Sequence, residues 1–69
     1  MDFIEVETDQ GLLLINIYEI VYISQCGDYT QIKLKGSPIT LTVENSIEDI
    51  KEQLNQGYDD GYGISFTTN

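Results

Sequence analysis

Apolar and polar positions alternate with a period of two along most of the chain's first 43 residues, which predicts strands. From Phe3 to Thr8, Ile4 and Val6 fall on one face, and Phe3, Glu5 and Glu7 on the other, as in a half-buried strand. Asp9-Gln10-Gly11 has turn chemistry, because Gly11 adopts positive φ without a steric penalty. Leu12 to Ile15 is apolar on both faces, which suits a strand that is central in a sheet or covered at an interface. Asn16-Ile17-Tyr18-Glu19 breaks the alternation and reads as one helical turn or a tight bend.

Ile20 to Gln25 resumes it, with Val21 and Ile23 on one face and Ile20, Tyr22 and Ser24 on the other. Cys26-Gly27-Asp28 then signals a hairpin whose two-residue loop has Gly first. Tyr29 to Lys35 sets Thr30, Ile32 and Leu34 against Tyr29, Gln31, Lys33 and Lys35. Gly36-Ser37-Pro38 turns the chain, and Ile39, Leu41 and Val43 alternate with two threonines in a fifth strand.

The period then lengthens to that of a helix. Ser46 is placed to cap the N-terminus, with Asp49 three residues on completing a capping box. Ile47, Ile50 and Leu54 form a narrow apolar stripe, and Gly57 is a natural stop. Beyond it, Tyr62, Ile64 and Phe66 alternate with Gly63 and Ser65, leaving a short sixth strand and a frayed or partner-bound tail both open. The expectation is an α+β, β-dominated fold of five to six mostly antiparallel strands, with one short helix over residues 46–55 packed on one face. Residues 1–57 form a single small domain, and 58–69 a C-terminal tail.

Charge narrows the functions such a fold can serve. The 69 residues hold 12 acids, three lysines, no Arg and no His, for a formal charge of −9. All three lysines lie between positions 33 and 51, whereas six of the acids precede Lys33. A basic surface that tracks phosphates is hard to build from this material, and an anionic membrane would repel it. With no His, Cys26 lacks an imidazole to activate it, and a single Cys forms no disulfide within the chain. Asp59-Asp60-Gly61 is a fragment of what a calcium loop uses, without the further carboxylates at fixed spacing. These points lead us to expect no enzyme, no metal and no cofactor. The first residues carry no basic, long apolar leader, and the lone Cys26 suits a reducing interior, so a cytoplasmic protein is expected.

The expected partner is therefore a protein. If the helix covers Val21, Ile23, Ile32 and Leu34, then Ile20, Tyr22 and Tyr29 form an apolar patch on the far face, with Tyr22 and Tyr29 able to pair across the hairpin. Tyr62, Ile64 and Phe66 extend that candidate interface, or else close a second small core over it. A small core that lacks other staples adds a reason for the chain to form homo-oligomers. Glu5, Glu7, Glu48, Asp49 and Glu52 are the candidates for an acidic patch that could occupy a basic site on a nucleic-acid-binding protein. The alternative for the paired carboxylates is a solvated face.

Four stretches carry a family resemblance. They are Ile4 to Gly11, Ile15 to Ile23, Gly27 to Gly36, and Val43 to Ile50. Their order of strand, turn, bend, hairpin, strand and short helix over residues 4–54 resembles the LytTR-type domain of bacterial regulators and the short flagellar FlbD family. The resemblance implies a small sheet with one helix in a bacterial or phage regulatory setting, and a DNA-binding transcription regulator as an alternative function. The LytTR-type family reads DNA partly with basic residues near its C-terminal strand. The matching stretch here, Gly63 to Asn69, has none, so no DNA-contacting residue is carried over.

Overall fold

The computed structural model describes residues 3–54 and 64–68. β1 (Phe3–Thr8) and β2 (Gly11–Asn16) form an antiparallel hairpin, in which Ile4 faces Ile15, Glu5 faces Leu14 and Glu7 faces Leu12. A 3-10 turn over Ile17–Glu19 follows, where the Asn16 side chain accepts the Tyr18 N–H at 2.9 Å. A second sheet has the order β5-β4-β3-β6, built from β3 (Ile20–Cys26), β4 (Tyr29–Leu34), β5 (Thr40–Val43) and β6 (Ser65–Thr68). Its pairings are antiparallel except that of β3 with β6, which is parallel. The single helix among the described residues, α1 (Ile47–Leu54), precedes β6. The fold is thus β-dominated α+β, as the periodicity predicts. Among the described residues, no helix is long and apolar enough to cross a membrane.

The core lies between the hairpin, the four-stranded sheet and the helix. Ile4, Val6 and Ile15 come from the hairpin, Ile20, Ile23, Ile32 and Val43 from the sheet, and Ile47, Ile50 and Leu54 from the helix. The 3-10 turn adds Ile17. The helical stripe is the expected one, with all three of its apolar side chains buried. Asn55 and Gly57, the expected end and stop of the helix, lie outside the described residues.

The phase of β3 differs from its sequence reading. Ile20 pairs with Leu34 but Tyr22 pairs with Lys33, so Val21 is an extra residue on that strand. A bulge of this kind reverses the alternation on its two sides. Ile20 and Ile23 therefore both face the core, at 3% and 0% exposed, and Val21 turns outward at 40%. The β3–β4 loop is as expected. Cys26 pairs with Tyr29, leaving Gly27-Asp28 as the loop, and Gly27 alone takes positive φ, at 62°. That combination is a type II′ turn, whose twist matches the flanking strands.

Two side chains join the helix start to the sheet. Thr30 is fully buried, and its hydroxyl donates to the Asn45 carbonyl at 2.6 Å. Gln25 uses its amide nitrogen on the Gly27 and Tyr29 carbonyls and its amide oxygen on the Ile47 N–H at 2.9 Å. Thr30→Val keeps the shape but removes the donor to Asn45. We expect it to cost about 1–3 kcal/mol in urea unfolding, the penalty of an unsatisfied acceptor. A variant as stable as the wild type would show the hydroxyl to be idle.

Candidate functional site

The strongest surface feature is built by the N-terminal hairpin. On its outer face, cross-strand partners share a side, so Phe3, Glu5 and Glu7 stand beside Asn16, Leu14 and Leu12. Leu12 and Leu14 are 68% and 66% exposed, and Phe3 is 49% exposed. The sequence reading left Leu12 to Ile15 as either a central strand or one covered at an interface. β2 is not central, because it pairs only with β1 among the described residues. Leu13 points the other way, into a groove of about 560 Å³ shared with Leu34, Ile39 and Leu41.

The two edges of the hairpin are treated differently. On β1, the Gln53 side-chain amide accepts the Glu5 N–H and donates to the Glu5 carbonyl, both at 2.8 Å. It satisfies that residue as a neighbouring strand would. The Asn45 amide oxygen accepts the Glu7 N–H at 2.6 Å, and the Glu44 N–H donates to the Glu7 carbonyl at 2.8 Å. The exposed side of β1 is thereby closed against further pairing. The Asn45 amide nitrogen in turn donates to the Asp49 carboxylate at 2.7 Å. The capping box is correspondingly half-formed. The Asp49 N–H reaches the Ser46 hydroxyl at 3.1 Å, while the Asp49 carboxylate goes to Asn45.

Backbone direction follows from those bonds. Glu5 and Glu7 turn their N–H and carbonyl groups away from β2, so Ile4, Val6 and Thr8 turn theirs toward it. By the same pairing, Leu13 and Ile15 face β1, and Leu12 and Leu14 present their N–H and carbonyl groups at the outer edge of β2. No backbone bond from another described element reaches that edge. Gly11–Asn16 carries no charged residue.

The tyrosine-centred interface expected over β3 and β4 is not assembled. Ile20 belongs to the core, for the bulge brings it inward. Tyr22 is half-buried and paired with Lys33, whereas Tyr29 is exposed and paired with Cys26, so the two tyrosines do not meet. Ile64 packs partly against the core. Phe66 is 38% exposed, with the Lys51 ammonium 5.2 Å from its ring centroid, a cation–π contact. Tyr62 lies outside the described residues, as does the Asp59-Asp60-Gly61 segment.

The acidic candidates are brought partly together. Glu5, Glu7 and Asp49 line one shallow depression of about 320 Å³ with Leu12, Asn45 and Gln53. Glu48 and Glu52 are exposed on the helix beside it. No group of three or more His, Cys, Asp or Glu side chains among the described residues is placed to hold a metal ion. Cys26 is half-buried, 3.6 Å from the Ser24 hydroxyl and 3.9 Å from the Gln31 amide oxygen. The Lys33 ammonium bonds the Ser37 carbonyl.

Comparison with known proteins finds no matching family model, no matching curated protein and no matching solved structure.

Proposed function

We propose that this chain is a non-enzymatic, acidic interaction module of a bacterial or phage regulatory system, and that it self-associates. The observation that carries the reading is the outer face of the hairpin. Two leucines and a phenylalanine stand in solvent, beside a core of eleven buried apolar side chains among the described residues. Exposed apolar surface of this kind is costly to leave in water and marks contact surfaces. The expected result is a mass above that of the 7.8 kDa monomer by light scattering or sedimentation, rising with protein concentration. A strict monomer at several hundred micromolar would refute self-association.

The resemblance of strand and helix order to the LytTR-type and FlbD families supports the regulatory setting. The setting we infer is cytoplasmic, in keeping with a lone cysteine. Lys33 and Lys51 are engaged within the chain, which favours a protein over nucleic acid as partner. A second reading, an acidic inhibitor of a basic protein, draws support from the depression shared by Glu5, Glu7 and Asp49. The two readings differ in what the purified chain does alone, because only the first forms a homomeric assembly.

A further inference from the structure

We propose that two copies pair antiparallel along their β2 edges, joining the two hairpins into one four-stranded sheet of order β1-β2-β2-β1. This rests on the self-association reading and specifies where it occurs.

The argument begins with hydrogen bonding. Leu12 and Leu14 present outward N–H and carbonyl groups at an edge to which no other described element makes a backbone hydrogen bond. An unpaired row of this kind is a template for another strand. β1 offers no such row, since Gln53, Asn45 and Glu44 occupy it. The remaining edge strands, β5 and β6, have four residues each against six in β2.

Charge then selects the occupant. A chain of net charge −9 meets its own copy favourably only along a strip without acids, and Gly11–Asn16 is such a strip. The alternation restricts the register. Outward-facing residues must pair with outward-facing ones, and of the registers that satisfy this, the one with the two-fold axis on Leu13 sets Leu12 against Leu14 twice and buries the most leucine surface. Each row of the outer face then reads acid, leucine, leucine, acid: Glu7 and Leu12 of one copy, followed by Leu14 and Glu5 of the second. The leucines bury one another at the centre. The two glutamate columns end up three strand spacings apart, roughly 14 Å. That exceeds the screening length of about 8 Å at physiological salt, so their repulsion is weak. On the opposite face, Leu13 meets Leu13 of the second copy beside the apolar groove.

The register makes a covalent test possible. Facing residues in a non-hydrogen-bonded antiparallel pair have Cα atoms about 4.5 Å apart, within the range that a disulfide spans. In a Cys26→Ser background, Leu13→Cys should therefore cross-link two copies under mild oxidation at least roughly tenfold faster than Leu14→Cys. A second variant removes the pairing without unfolding the chain. In Leu12→Lys/Leu14→Lys the new ammoniums lie opposite Glu7 and Glu5 of their own hairpin, and opposite each other across the proposed interface. We expect an unchanged circular dichroism spectrum and loss of the dimer. If the wild type dimerises, and the lysine variant dimerises equally, the β2 edge is not the interface, although self-association stands. If the wild type is monomeric, both readings fall. Equal cross-linking rates for the two cysteine variants would overturn the register.

Discussion

Ile32→Ala is expected to leave most of the chain unfolded at 25 °C. Ile32 is fully buried on β4, between Ile23 of β3 and Leu41 of β5 in the sheet. Removing a buried aliphatic side chain down to Ala costs about 2–5 kcal/mol, because the transfer energy of the lost methylenes is compounded by the cavity left behind. A single core in a chain of this size supplies roughly 3–5 kcal/mol of net stability, so the loss is comparable to the whole. Ile32→Val removes one methylene and should cost about 0.5–1.5 kcal/mol, leaving a cooperative transition at lower urea. Urea titrations of both variants, followed by circular dichroism, decide the matter. A cooperative Ile32→Ala protein with its midpoint near that of the wild type would mean that stability resides elsewhere, foremost in an assembly.

The second large effect is expected from Asn45→Ala/Gln53→Ala. Together these amides make three hydrogen bonds to the β1 backbone, two at Glu5 and one at Glu7. At about 1 kcal/mol net for each, the double variant should lose roughly 3 kcal/mol, less whatever water restores at this exposed edge. It should also change behaviour in kind. Glu5 and the Glu7 N–H would then be uncovered, leaving β1 held only by the Glu44 N–H and giving the hairpin a second adhesive edge besides β2, so the variant should scatter light at concentrations where the wild type stays clear. Gln53→Glu separates bonding from shape. It keeps an acceptor for the Glu5 N–H, loses the donor to the Glu5 carbonyl, and adds a carboxylate to the depression of Glu5, Glu7 and Asp49. Full stability in Gln53→Glu would show that the two-sided amide contact matters little.

The parts of this fold that were legible in the sequence are those where one residue period runs unbroken. β1 shows it in Ile4 and Val6, both buried, and α1 shows it in Ile47, Ile50 and Leu54. β3 does not, because the extra Val21 inverts the phase. Unbroken alternation places Ile20 and Tyr22 on one face, whereas the bulge between them turns Ile20 into the core. Leu12 to Leu14 present the opposite difficulty. Three consecutive leucines carry no period, so the sequence indicates that both faces are apolar but not which is covered. The amide contacts left no local trace, since they join residues 38 and 48 positions apart and depend on where the helix comes to rest. The alternation of Tyr62, Ile64 and Phe66 leaves a sixth strand and a frayed tail both open, and the described part of that segment is a strand, Ser65–Thr68, paired parallel with β3.

The closure of β1 by the helix also has a consequence for the order in which the chain is made. Synthesis runs from the N-terminus, and the hairpin requires only residues 3–16 to form. The groups that cover its first strand sit at positions 44, 45 and 53. A growing chain therefore carries the whole hairpin sequence, with neither border yet covered in any copy that folds early, for the time it takes to add the next three dozen or so residues, about two to seven seconds at the usual rates of translation. Neighbouring chains on one messenger would meet during that interval with twice the adhesive border of the finished protein.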